Sequence, residues 1–554
     1  MKRAHGPRRT PEGWSFSVWA PKVPSLKLRL DGRDVPMVRD NDGFHTATVK
    51  DAKAGSRYAL VLDENRVRPD PATRRQPDGV HAASQLFDPS AFRWTDSAFK
   101  GHALKELIIY ELHVGTFTDE ATFDAAAKAL PELVELGVTL VELMPVQPFP
   151  GARNWGYDGV AMYGVHEAYG GPEGLQRFVD RAHALGLSVA LDVVYNHMGP
   201  EGNYLGELAP YFTSRHRSPW GDGMNYDGED AKPARRFVID AALQWFRDFH
   251  IDALRLDAVH AIPDDSEKHL LAELSDEVAV LSKEVGRPLH LIAESDLNDR
   301  KLVEPTPKGW GMSTVWADDL HHSLHALLTG ERGHFYKDFG EWEHLRKALA
   351  EGFVYQGQQS PFRGKPHGTP TKGLPPTAFV TCAQNHDQVG NRPRGERLST
   401  LVPKEALPAI AATYLLGAGL PMIFMGEERG ETRPFLYFTS HSDPGLAKAV
   451  SEGRKAEFIA SGGHGDVPDP QSEETFQSSK LQRPGDEKLR ATYRELIALR
   501  KRHLDEISRW PEVTLDGTVV TLRRPGLDVQ VNLGPKPQGG LPAWGYRVGE
   551  RIAK

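Results

Sequence analysis

Positions 251–260 read IDALRLDAVH, an apolar run with Arg255 and Asp257 set two residues apart. Residues two apart on a strand share a face. Charges on such a face are costly to bury unless they are paired or used. Other apolar runs end in the same manner: LSVALDVVYNH carries Asp192, Asn196 and His197, LHLIAES carries Glu294, and TAFVTCAQNHD carries Asn385, His386 and Asp387, while His260 follows the first pair. Carboxylates gathered at one mouth repel, and their pKa values must split. A pair split in this way is equipped to cleave a glycosidic bond, one carboxyl protonating the leaving oxygen while the other stays ionised. Arg255, on the face of Asp257, would hold that aspartate anionic and aimed. Glu294 follows the wholly apolar LHLIA, a setting that favours a raised pKa and an acid role.

Such residues need a scaffold that brings several strand ends together. From about position 105 short apolar runs alternate with helical stretches. The runs are LIIYELHVG, VTLVELMPV, LSVALDVVYNH, IDALRLDAV, LHLIAES, STVWADD, TAFVTCAQNHD and LPMIFMGEE. Helix candidates between them include FDAAAKALPELVELG, RFVIDAALQWFRDFH and HLLAELSDEVAVLSKEVG, several of which stop at glycine. Eight strands, most followed by a helix, fit a (β/α)8 TIM barrel better than an open sheet, and such barrels carry their chemistry at the C-terminal strand ends. No GxGxxG follows the first strand, which weakens a dinucleotide-binding reading. Two insertions, one over roughly 197–232 and one after the sixth strand, are long enough to be functional.

The flanks read differently. Short alternating runs, WSFSVWA, SLKLRL, FHTATV and YALVL, indicate an N-terminal β-sandwich over 1–95, with RVRPDPATRRQPDGVH as an ordered linker. The catalytic barrel is expected over 96–490, and 491–554 includes a small C-terminal β-domain built from VTLDGTVVTLRR and DVQVNL. The 554 residues carry a net charge of −8, which gives no support for nucleic acid or an anionic membrane as partner. No run approaches a membrane span, the basic start precedes no apolar segment, and the single cysteine, Cys382, fits a reducing cytoplasm. Cys382 lies in an apolar strand and is expected to be buried. His321, His322 and His325 lack a zinc spacing and are expected on a helix surface. No acidic cage surrounds Asn196, so neither metal nor other cofactor is expected.

In this order and on these strands, DVVYNH, LRLDAVH, IAES and QNHDQ resemble the four signature regions of the α-amylase superfamily, glycoside hydrolase family 13. The resemblance covers the whole barrel. It implies a retaining double displacement with Asp257 as nucleophile, Glu294 as acid/base and Asp387 as stabiliser of the transition state. Asp192, His197, Arg255 and His386 would surround the same sugar, with Tyr157 of NWGYDGV stacked beneath it. For a retaining enzyme the carboxyls of Asp257 and Glu294 should stand roughly 5–5.5 Å apart. Other stretches, among them SPWGDGMNYDG, IAESDLNDRKLV and WADDLHHSLHALLTGERGHFYKDF, look like the trehalohydrolase branch of that family. That branch cleaves the α-1,4 bond beside the terminal trehalose of maltooligosyltrehalose and neighbours a maltooligosyltrehalose synthase in its pathway. Trp220, Asn225, His260, Asp296, Asp318 and Asp319 are the expected further contacts to maltooligosyltrehalose or α-glucan oligosaccharides. A 1,4-α-glucan branching enzyme, another amylase-type hydrolase and an inactive glucan-binding scaffold are the alternatives; the intact Asp257, Glu294 and Asp387 argue against the last.

Overall fold

The computed structural model describes residues 5–218, 221–460 and 467–550. Eight parallel strands close into a barrel. They are β1 (Ile109–Leu112), β2 (Leu140–Leu143), β3 (Ser188–Val193), β4 (Ala253–Leu256), β5 (His290–Glu294), β6 (Thr314–Trp316), β7 (Phe379–Cys382) and β8 (Leu420–Phe424). Each falls within one of the eight apolar runs of the sequence. β8 returns to pair with β1, joining Ile109 to Met422 and Glu111 to Phe424. The barrel interior is packed solid with Ile109, Leu140, Ala190, Ala253, Ile292, Trp316, Val380, Cys382, Leu420 and Met422.

Helices α1 (Phe123–Leu136), α2 (Gly171–Ala184), α3 (Ala231–Asp248) and α4 (Leu270–Val285) follow the first four strands. α1 starts where the Thr122 hydroxyl accepts from the Ala125 N–H and stops at Gly137, whose φ of 101° suits glycine. Its buried stripe of Phe123, Ala126, Leu130 and Leu133 lies against the barrel wall. No α-helix follows β5; only the 3-10 turn Arg300–Leu302 fills that crossover. α5 (Asp319–Thr329) and α6 (Trp342–Glu351) follow β6, α7 (Leu407–Leu415) follows β7, and α8 (Glu487–Arg502) completes the ring after β8. The three histidines of α5 do not lie on its surface. His321 and His325 are 3% exposed, the first hydrogen-bonded to the Ala383 carbonyl and the Tyr336 hydroxyl, the second paired with Glu331.

Before the barrel, a four-stranded sheet (Arg8–Thr10, Gly13–Trp19, Phe44–Val49, Val38–Arg39) faces a five-stranded one that contains Lys27–Leu30 and Arg57–Val61. Alternation sends Trp14, Phe16 and Val18 inward against Leu28, Tyr58 and Leu60, and the Phe16 and Tyr58 rings meet edge to face at 5.4 Å. The proline-rich stretch that follows is packed rather than spanning a gap. Arg74 is 7% exposed and donates to Gln244 and Asp248 of α3, and Arg75 pairs with Glu167 and Glu173. After α8 a four-stranded antiparallel sheet runs over Glu512–Asp516, Val519–Arg523, Leu527–Asn532 and Tyr546–Glu550. Among the described residues no helix is long and apolar enough to cross a membrane.

A buried cation of α8 reaches the junction of α7 and β8. Arg500 of α8 is 1% exposed and donates to the carbonyls of Leu415 (2.8 Å), Gly417 (3.0 Å) and Gly419 (2.6 Å), where α7 ends and β8 begins. A cation at a helix C-terminus is favourable, but burial pushes this guanidinium down to about 9. Arg500→Leu should therefore strand three carbonyls and cost about 3 kcal/mol. Arg33→Ala, which breaks an exposed pair with Asp51, should leave the unfolding midpoint almost unchanged. Thermal unfolding followed by circular dichroism compares the two.

Candidate active site

The C-terminal ends of β3, β4 and β5 meet on one side chain. Arg255 points from β4 into the barrel mouth and is 1% exposed. Its Nη1 donates to both oxygens of Asp192 (2.9 and 2.8 Å) and to Oδ1 of Asp257 (2.8 Å). Its Nη2 lies 3.2 Å from Oε2 of Glu294. The indole of Trp316, on β6, supports the guanidinium from below at 4.3 Å. One cation thus organises three carboxyls from three strands, and its pKa is driven up by Asp192 and the other anions against the penalty of burial.

The three carboxyls are not alike. Burial raises Asp192 to about 6, with Arg255 opposing, so it is an anion at neutral pH. Asp257 is held from both sides, its second oxygen accepting from Asn196 Nδ2 at 2.7 Å. Glu294 is pushed up to about 8 by burial, further raised by Asp257 and Asp387 and opposed by Arg255. Its Oε2 also accepts from the Ala258 N–H at 2.5 Å, which leaves Oε1 to carry a proton. That N–H is presented by a left-handed turn at Ala258, φ 41°, directly after Asp257. An alanine seldom adopts this conformation, and here it buys the aim of one backbone donor.

A second layer of contacts fixes the far wall. The Tyr157 hydroxyl donates to Asp192 (2.7 Å) and meets Nε2 of His386 at 2.9 Å, with the two rings stacked at 5.4 Å. His197 is anchored by the Tyr157 carbonyl and by Asn196. Asp387 accepts from Asn391 at 2.6 Å and stands close enough to Glu294 and Asp318 to raise both. Burial, then the charges of Asp387, Asp319 and Asp296, lift Asp318 to about 7, and Gln388 donates to it.

The remaining residues singled out in the sequence fall in different places. His260 and Asp296 stand together on the exposed rim beside Glu294, 3.8 Å apart, with Arg363 donating to Asp296 at 2.8 Å. Asp319 is 5% exposed and clamps two loops, accepting from Val354 N and Asn298 Nδ2 through one oxygen. Asn225 does not face the cleft. It is 3% exposed, its amide donates to the Pro210 and Glu229 carbonyls, and its oxygen accepts from Gly228, so every polar atom is spent within its own insertion. Trp220 lies outside the described residues.

Two residues not singled out in the sequence sit one layer below the mouth, in the barrel interior: Glu111 on β1 and Glu142 on β2, which pair directly in register. Each is 1% exposed. A lone glutamate inside each of two apolar strands was the available signal. Glu201 was missed as well. It joins the β3 insertion to the segment after β8 by accepting from Ser442 and contacting His441, and it also meets His81 of the proline-rich stretch. Among the described residues one group, His216, Asp227 and Asp265, has ligand atoms near enough for a metal ion. The Arg215 guanidinium already pairs with both aspartates there, so the protein itself supplies a cation to the cluster.

Comparisons with known proteins agree with this geometry. The family model described as alpha amylase, catalytic domain, matches residues 121–233. A malto-oligosyltrehalose trehalohydrolase of Saccharolobus solfataricus is 46% identical over 89% of this chain and 86% of its own length. One from a Rhizobium species is 45% identical over 94% of this chain and 91% of its own. The crystal structure of a candidate alpha amylase from Salmonella typhimurium superposes with a TM-score of 0.93 at 39% identity, covering 100% of both chains. The chain, an α-amylase-type barrel with its carboxyls gathered on Arg255, belongs to the malto-oligosyltrehalose trehalohydrolase family.

Proposed function

We propose that this protein is a retaining glycoside hydrolase that cleaves the α-1,4-glucosidic bond next to the terminal trehalose of maltooligosyltrehalose and releases trehalose. The observation that carries the chemistry is the split across Arg255: Asp257 held by two donors, Glu294 lifted to about 8. Glu294 gives its proton from Oε1 to the glycosidic oxygen as the bond to C1 breaks. Asp257 attacks C1 and forms a glycosyl ester, and the trehalose portion departs. Glu294, now a carboxylate, takes a proton from water; the hydroxide oxygen attacks C1, the ester bond breaks, and the configuration is restored. Asp387 steadies the positive charge that develops at the ring, and Tyr157, Asp192, His197 and His386 hold the sugar. The names of the relatives at 45–46% identity support the trehalose-terminated substrate.

On the leaving side we assign contacts to Trp220 in the β3 insertion, to Asp318, and to the rim pair His260 and Asp296. Asp319 acts there through the loops it clamps, and Asn225 by shaping its insertion. We further propose residues 1–95, 96–490 and 491–554 as the units of the chain, a cytoplasmic location, and a synthase of maltooligosyltrehalose as pathway neighbour.

The substrate assignment is tested by incubating the purified protein with maltotriosyltrehalose and, separately, with maltopentaose. Fast trehalose release with slow attack on maltopentaose is expected. Equal cleavage of both would move the assignment to an amylase, and new α-1,6 linkages to a branching enzyme. The acid role predicts an alkaline limb: kcat/KM should fall as pH rises through about 8, where Glu294 loses its proton. Glu294→Gln should lower turnover of maltotriosyltrehalose by about 10²–10⁴-fold while sparing formation of the glycosyl ester from an α-maltosyl fluoride, whose leaving group needs no proton. Asp257→Ala should lower turnover of both by on the order of 10⁴-fold or more.

A further inference from the structure

Two glutamates lie side by side on β1 and β2 beneath the catalytic carboxyls, and the reaction just described uses neither. Their surroundings differ. Glu142 has no hydrogen-bond partner on either oxygen. Burial first, then the charge of Glu111, pushes its carboxyl well above the usual range, so it is a neutral acid in the barrel interior. Glu111 is fully engaged. Its Oε2 accepts from the backbone N–H of His386 at 2.9 Å, and its Oε1 meets Nδ1 of the same histidine. The other ring nitrogen of His386 faces the Tyr157 hydroxyl at the wall of the sugar site.

We propose that Glu111 is a positioning residue for this reaction: it grips His386 by backbone and ring, sets the entry of the Asn385–Asp387 turn, and pairs its carboxyl with the imidazole where the sugar binds. This rests on the reading of His386 and Asp387 as sugar-binding and transition-state groups. The first part follows from where the contacts fall. The N–H held by Glu111 is one peptide from Asp387, at the start of the short helix His386–Gly390. A carboxylate there also complements that helix's first turn. β1 is therefore coupled to β7 across the barrel, between residues 275 apart in the chain.

The second part follows from the charges around the ring. Tyr157 of the loop after β2, Asp192 of β3, Arg255 of β4, His113 after β1 and Asp387 on its own turn all face His386. Burial and Arg255 oppose a charged ring, while His113, which burial pushes down to about 4, is neutral. Of the opposing anions, Glu111 exerts the largest effect and is the one bonded to the ring, and the net result is a pKa raised above 6.5. A charged imidazole donates from both nitrogens, so with Nδ1 committed to Glu111 its Nε2–H is given to the Tyr157 hydroxyl, whose own proton goes to Asp192, and the three groups are fixed together at the wall of the sugar site.

The test is Glu111→Gln, which keeps the shape and an acceptor but removes the charge, compared with Glu142→Gln, which replaces a neutral group by a neutral one. Across pH 5.5–8, Glu111→Gln should lose about tenfold or more in kcat/KM above pH 6.5, where an unassisted ring is neutral. The loss should shrink toward pH 5.5, where the ring is protonated without help. Glu142→Gln should follow the wild-type profile. A loss independent of pH, or none, overturns the proposal. A second measurement needs no variant of Glu111 and no substrate: in protein labelled with ¹⁵N-histidine, the His386 signals, identified by their disappearance in His386→Asn, should titrate above the ordinary 6.5 of an imidazole. Titration near 6.5 overturns the proposal. Since this readout is independent of turnover, failure of the wild-type enzyme to release trehalose would count against the substrate assignment alone.

Discussion

A buried arginine is costly to leave without partners, and so is a buried aspartate. Most of the catalytic mouth follows from solving both problems at one place. Arg255 takes Asp192 and Asp257 on one nitrogen and approaches Glu294 with the other. Those residues come from β3, β4 and β5, so the strands cannot shift in register without breaking the cluster. The same guanidinium lies on Trp316 of β6, which extends the constraint to a fourth strand. Asymmetry among the carboxyls is then a matter of geometry: Asp257 has two strong donors on separate oxygens, whereas Glu294 has both of its donors on one oxygen and two anions nearby.

Beneath this cluster the barrel holds charge in an unusual place. Small residues at Ala190 and Ala253 leave room in the interior for Glu111 and Glu142. Two carboxyls in register on adjacent strands cannot both be ionised cheaply. One is stabilised by His386; the other stays neutral. The pattern repeats that of the catalytic pair one layer higher, with a basic side chain deciding which acid is charged.

The barrel was legible in the sequence because strands buried on both faces read as apolar runs and their polar ends stand out against them. Arg255, Asp257, Glu294 and the Asn385–Asp387 turn were visible for that reason. Glu111 and Glu142 were not, since each sits mid-run, where a single charge looks like noise until the neighbouring strand is known to place a second one beside it. Asn225 looks available from sequence, an amide in an aromatic, glycine-rich insertion, while in the fold its amide is engaged by the Pro210 and Glu229 carbonyls. The α5 histidines were misread as surface because their spacing was judged against zinc patterns alone; the loop of Tyr336 covers them. The Glu201 tie pairs segments 241 residues apart, and no local pattern announces such a contact.

The closure of the barrel has a consequence for how the protein is made. β1 needs β8 as its second neighbour, and the Tyr110 hydroxyl accepts from the Gly426 N–H, 316 residues downstream. Ribosomes add roughly 5–20 residues each second, so β1 waits on the order of tens of seconds for its partner to emerge. During that interval one side of β1 is an open strand edge, with the Glu111 carboxyl exposed to water rather than buried. A chain short of β8 has no closed ring around the Glu111–His386 contact. The first barrel strand is thus completed as a structure only by the barrel strand that is made last, and the edge between them is the last seam to be sealed.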